Sequence, residues 1–117
     1  MSLELAWAAG FYDGEGSAYL DKRSNCPRVG IGHVDPRPLH RFLQAVDVGS
    51  VTGPYTHNSK KNDRWSDYYS FQAYGKKAHA VMDALWPYLS EPKREQWLRL
   101  NDDAAKTGRM SSSTASN

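Results

Sequence analysis

The segment 2–14 constrains this chain most, because it reads as a helix without an ordinary polar face. Ser2 can cap its N-terminus, with Leu3 and Glu4 opening the first turn. At about 100° per residue, Leu3, Trp7 and Phe11 form one apolar stripe, and Leu5, Ala8 and Tyr12 form a second. A third stripe, Ala6, Ala9, Gly10 and Asp13, is nearly bare of side chain. Glycine costs about 1 kcal/mol inside a helix. Close approach of another helix backbone is the compensation that such a stripe suggests. Gly14 and Gly16 end the helix, with Glu15 between them.

The 117 residues fit one domain. A chain this short leaves much apolar surface near its boundary, which docking to a second copy would cover. The net charge of +2 and pI of about 8.7 give only weak support for a nucleic-acid partner. The grouping of the basic residues says more: Lys22, Arg23 and Arg28, and then Lys60, Lys61 and Arg64. Cys26 is the one cysteine, so an internal disulfide and a Cys-rich metal site are excluded. His33, His40, His57 and His79 lack metal-site spacing. No run approaches the roughly 18 apolar residues of a membrane span. The first segment lacks a basic leader, so the expectation is no membrane and a reducing cytoplasmic setting.

Beyond the first helix, Ser17–Lys22 alternates as a half-buried strand, with Ala18 and Leu20 one way and Tyr19 and Asp21 the other. Residues 24–27 read as a turn. Arg28–Val34 reads as a second strand, with Val29 and Ile31 inward and Arg28, Gly30 and Gly32 outward. Asp35 and Pro36 open a helix whose buried face is Leu39, Phe42, Leu43 and Val46. Residues 50–56 and 65–74 read as strands around a basic loop at 57–64. In the latter strand Tyr68, Ser70 and Gln72 face one way and Tyr69, Phe71 and Ala73 the other. Ala78, Val81, Met82 and Leu85 mark a third helix, and residues 91–105 a last one. The polar, Ser-rich stretch 106–117 is expected to be disordered.

The run Ala8-Ala9-Gly10-Phe11-Tyr12-Asp13-Gly14-Glu15-Gly16-Ser17 resembles the motif that names the LAGLIDADG homing endonucleases. Ala8 stands for the first Leu, Phe11 and Tyr12 for Leu-Ile, Gly14 for the second Ala, and Glu15 for the final Asp. Leu85-Trp86-Pro87-Tyr88-Leu89 followed by Lys93-Arg94-Glu95-Gln96 is similar to that family's Pro-Tyr-Leu…Lys…Gln stretch. The resemblance implies an α+β protein of the αββαββα homing-endonuclease fold, with a mixed four-stranded curved sheet packed on helices across residues 1–105. One motif per chain implies a homodimer on a nearly palindromic double-stranded DNA site; the family also suggests a mobile intron or intein element, with a free-standing gene left open.

The resemblance also implies a chemistry. Phosphodiester hydrolysis needs an activated water and a stabilised leaving oxygen, which metal ions held by carboxylates supply. Mg²⁺ takes few carboxylates and completes its octahedron with water and phosphate. One acid per chain, Glu15, would then serve, with Lys93 near the scissile phosphate and no small-molecule cofactor. His33, Asp35 and Arg37 are the open alternatives for a third polar position. Ala6, Ala9, Gly10 and Asp13 would form the dimer interface, with Asp13 structural. Tyr19, Asp21, Arg23, Arg28, Ser70 and Gln72 would face the bases, where Arg reads guanine and Gln reads adenine bidentately. Lys60, Lys61 and Arg64 would meet phosphates. A binding protein on the same fold, a regulator or an intron maturase without cleavage, is the alternative function.

Overall fold

The computed structural model of the protein describes residues 2–58 and 65–115. The chain runs α1 (Leu3–Glu15), β1 (Gly16–Asp21), β2 (Cys26–His33), α2 (Pro36–Val46), β3 (Ser50–Asn58), β4 (Trp65–Tyr74), α3 (Lys76–Leu85), a single 3-10 turn (Trp86–Tyr88) and α4 (Glu91–Ala115). The expected order of elements is found. The caps act as the sequence suggests. Ser2 Oγ accepts from Leu5 N at 3.2 Å, and Asp35 accepts from Arg37 N at 2.9 Å with Pro36 in the first helical position.

The sheet order is β1-β2-β4-β3, and every neighbouring pair is antiparallel. The expected mixed sheet is therefore corrected to an antiparallel one. Each αββ half closes as a hairpin, and the halves join through β2 and β4, which run in opposite directions. Strands β2 and β3 run the same way, but β4 lies between them. Inward residues Ala18, Val29, Ile31, Phe71 and Ala73 are buried beneath the helices. Phe42 meets Phe71 edge-on with ring centroids 4.8 Å apart, which ties α2 of the first half to β4 of the second.

Two boundaries move. The first turn occupies residues 22–25 rather than 24–27, because β2 begins at Cys26. Asn25 supplies the left-handed φ of 53° that the turn requires, and its Nδ2 donates to Ala104 O at 3.0 Å. Helix α4 continues past 105 to Ala115, where a disordered polar tail was expected. Lys106 pairs with Asp102 one turn earlier at 3.1 Å, a favourable helical spacing.

The roll of α1 also differs from the reading of its stripes. Ala8, Ala9 and Tyr12 are fully buried in the chain's own core. Ala9 thus leaves the bare stripe. The open strip is instead Leu3, Gly10 and Gly14, flanked by half-buried Ala6 and Trp7. A Cβ built on Gly10 or Gly14 meets nothing within 4 Å. With apolar or small residues all round, periodicity alone cannot fix which side turns inward.

Helix α1 passes into β1 with no loop, because Gly16 directly follows Glu15. The Tyr12 ring lies over Gly16 so closely that a Cβ there would fall 2.3 Å from Tyr12 Cδ2. Gly16→Ala should therefore force the fully buried ring out of place and lower stability by about 1–3 kcal/mol. Urea unfolding read by circular dichroism checks this, and an unchanged midpoint would show that the ring can shift freely.

Candidate functional site

The foot of α1 gathers three of the residues singled out in the sequence. Glu15 is exposed at the helix end. Lys93, in the first turn of α4, donates from Nζ to Gly16 O at 2.8 Å, and its ammonium lies 5.4 Å from the centre of the Tyr12 ring. Asp13 accepts from Ser90 N at 3.2 Å and from Ser90 Oγ at 2.9 Å. It thereby takes up a backbone donor at the start of α4, where intrahelical acceptors are lacking. At the other end of α1, Ser2 N donates to Tyr88 OH at 3.0 Å. The segment leading into α4 is thus fastened to both ends of α1. Burial, and next the Asp13 charge, push the Tyr12 phenol well above its ordinary value. Its hydroxyl has no hydrogen-bond partner among the described residues.

The outward face of the sheet assembles a second group. Register places Tyr19 opposite Arg28, and Arg28 opposite Tyr74. Arg28 Nη1 reaches Asp21 Oδ2 at 3.3 Å, while Nη2 reaches Gln72 Oε1 at 3.3 Å and Tyr74 OH at 2.6 Å. The guanidinium carbon lies 4.2 Å from the Tyr74 ring centre and 5.2 Å from that of Tyr19. The Tyr74 hydroxyl donates to Gln72 Oε1, and Gln72 Nε2 donates to Ser70 Oγ at 3.2 Å. Tyr19, Asp21, Arg28, Ser70 and Gln72 therefore form one network across three strands. Arg23 stands apart in the exposed turn, where its N–H donates to Asp21 Oδ1 at 2.9 Å. Lys60, Lys61 and Arg64 lie outside the described residues.

Neither a family model nor a curated protein matches the sequence. Solved structures do. The homing endonuclease I-CvuI, in complex with its target in the presence of calcium, aligns with a TM-score of 0.56 at 20% identity over 85% of this chain and 64% of that one. The LAGLIDADG meganuclease I-CpaMI, bound to uncleaved DNA, gives 0.62 at 17% identity over 95% of this chain and 38% of that one. The group I intron-encoded homing endonuclease I-CeuI, complexed with DNA, gives 0.62 at 14% identity over 93% and 57%. This chain has the LAGLIDADG homing-endonuclease fold. It spans less than two thirds of the length of each of these three neighbours.

In the LAGLIDADG fold of this chain, the three alternatives for a further polar position are tied mainly to one another. His33 Nδ1 lies 3.0 Å from Asp35 N and 3.1 Å from Asp35 O. Asp35 also makes a bidentate pair with Arg37, whose Nη2 is 2.6 Å away. Nearby, Arg41 pairs with Glu4 at 2.8 Å and lies 4.0 Å from the Trp7 ring centre, in an open groove of about 410 Å³ lined also by Asp35, Arg37 and Pro38. Sequence reading missed Tyr74, Ser90 and Tyr12 as partners of the site residues. Tyr74 was legible, since it continues the outward alternation of Tyr68, Ser70 and Gln72. Ser90 was not, because its role depends on a contact 77 residues away.

The Arg37 side chain, and then the Arg37 backbone N–H, hold the Asp35 carboxyl at about 2, below its ordinary 3.8. A depressed carboxylate contributes stability that is present above the unfolded value and is lost as pH falls through the folded one. The α2 cap should therefore weaken between about pH 4 and pH 2. Asp35→Asn keeps an oxygen for the Arg37 N–H but has no such titration. Melting temperatures of the two proteins should converge as pH falls across that window, and a constant gap would remove Asp35 from the acid transition.

Proposed function

We propose that this chain is a homodimeric, divalent-metal-dependent DNA endonuclease of the homing type. The observation that carries this reading is the meeting of Glu15, Lys93 and the open Gly10–Gly14 strip at the foot of α1. Among the described residues no group of three or more His, Cys, Asp or Glu could hold a metal ion. One chain offers one exposed carboxylate there, at the negative end of a helix dipole, which favours a cation. That donor set fits Mg²⁺ if a second chain brings another Glu15 and DNA phosphates complete the shell. When bound, the metal would activate water and neutralise the leaving oxygen.

The residues of this chain divide the remaining work. Glu15 anchors charge at the end of the exposed strip. Lys93 keeps one N–H on Gly16 O and has two more for a phosphate oxygen. Asp13 and Ser90 hold α4 against α1, which fixes where Lys93 stands. The sheet face carrying Tyr19, Asp21, Arg28, Ser70 and Gln72, with Arg23 in the turn beside it, lies against the DNA bases, with Lys60, Lys61 and Arg64 on the backbone. The DNA-bound endonucleases that share this fold support that assignment. No helix among the described residues is long and apolar enough to cross a membrane.

Pairing through α1 has its own test. Gly10→Leu places a large side chain on the strip that must admit a second backbone. It should give monomers by sedimentation, with the chain itself still folded because nothing lies within 4 Å of that position. A dimer of unchanged affinity would move the interface elsewhere.

Glu15→Gln keeps shape and removes charge. Binding to a selected DNA should persist, and cleavage with Mg²⁺ should fall by several orders of magnitude, as loss of a metal anchor requires. Gel shift and cleavage on one DNA, wild type beside variant, measure both. Cleavage retained in the variant would take Glu15 out of the mechanism. A wild type that binds specifically and never cuts would establish the binding-protein alternative.

A further inference from the structure

The two side chains best suited to bidentate base reading on the outward face have already used the atoms that such reading needs. Arg28 has five N–H donors. One goes to Asp21 Oδ2, two go to Gln72 Oε1 and Tyr74 OH, and Nε is buried without a partner. A single N–H on Nη1 is left, whereas guanine recognition needs two directed outward. Gln72 is in the same position. Its oxygen accepts from both Arg28 and Tyr74, which fills it, and one of the two N–H donors on its nitrogen goes to Ser70. Adenine recognition needs that oxygen and nitrogen together.

Asp21 is the member with capacity to spare. A carboxylate offers about four acceptor positions. Oδ1 takes one bond from Arg23 N and Oδ2 one from Arg28. The side chain remains 27% exposed, beside the outward Tyr19. An unpaired carboxylate would repel DNA phosphates; Arg28 supplies the compensating charge and fixes the carboxylate's direction. Next along β2, the outward positions are Gly30 and Gly32. A Cβ there would meet only backbone oxygens at 3.6 Å and 4.0 Å, so the chain's own packing does not require glycine. The projecting group on this part of the face is therefore the cluster centred on Arg28.

We infer that Asp21, held and neutralised by Arg28, selects an amino base over a keto base at one position of each half-site. This inference rests on the DNA reading proposed above. In the major groove adenine N6 and cytosine N4 are donors that a carboxylate accepts from. Guanine offers N7 and O6, and thymine offers O4, all acceptors that repel it. Arg28 is then a positioning residue for Asp21 and not itself the reader of guanine.

Selection from a randomised duplex library, with Ca²⁺ present and the bound fraction sequenced, tests this. Wild type should show adenine or cytosine at one half-site position, preferred over guanine and thymine by about tenfold or more. Asp21→Asn keeps an oxygen for the Arg23 N–H, removes the charge and releases Arg28 Nη1. Guanine should then enter at that position alone, with the other positions unchanged, which also reports an intact fold. Arg28→Met provides an independent arm if Asp21→Asn binds nothing. With Asp21 charged but no longer held, it should lose severalfold in affinity and weaken the amino-base preference without turning it to guanine. An Asp21→Asn profile identical to wild type overturns the inference. So does a wild-type guanine preference that Arg28→Met abolishes. Wild-type protein that enriches no sequence overturns the DNA reading itself, and the inference with it.

Discussion

The missing side chain at Gly16 is the constraint on which the rest of the site depends. Because nothing projects there, the Tyr12 ring closes over the strand start and α1 turns into β1 without a connecting residue. That direct junction leaves Glu15 at the last helical position and exposed. It also sets the Gly16 carbonyl where Lys93 can reach it. A looser junction would separate the carboxylate from the ammonium by an adjustable loop, a misplacement that the proposed hydrolysis would tolerate poorly.

A second dependency runs from α1 to α4. A lysine near a helix N-terminus opposes the helix dipole, so its placement has to be enforced. The enforcement comes from Asp13, whose carboxylate takes both the backbone and side-chain donors of Ser90. The negative charge of Asp13 also offsets the positive end of α4. The same acid adds to the burial that keeps the Tyr12 phenol protonated. One side chain thus joins the helix carrying Glu15 to the helix carrying Lys93.

Much of this was legible in the sequence, for reasons that differ by element. Helix α2 declared itself through Leu39, Phe42 and Val46 at helical spacing and through Asp35-Pro36 as a start signal. Strand alternation placed Tyr19, Arg28, Ser70 and Gln72 on one face, and register then made them neighbours. The motif located Glu15 at a helix foot. Two things stayed hidden. The roll of α1 could not be read from a helix apolar or small on every side, so Ala9 was assigned outward when it is core. Saturation of Arg28 and Gln72 could not be read either. Hydrogen-bond capacity depends on partners brought together across strands, 44 residues apart in the chain for that pair.

Strand β3 forms an outer edge of the sheet, and it is interrupted there. The register shifts between Thr52 and Tyr55, and Pro54 within the irregularity has no N–H to offer. The opposite edge strand, β1, packs against α4. An incoming strand would therefore find no long row of free backbone donors on the β3 side. Growth of the sheet from molecule to molecule, the common route to fibrils and runaway assembly, is discouraged by the geometry of that margin. The proposed pairing would use the helical side of the protein instead, and contact between two equivalent surfaces closes at two copies and goes no further.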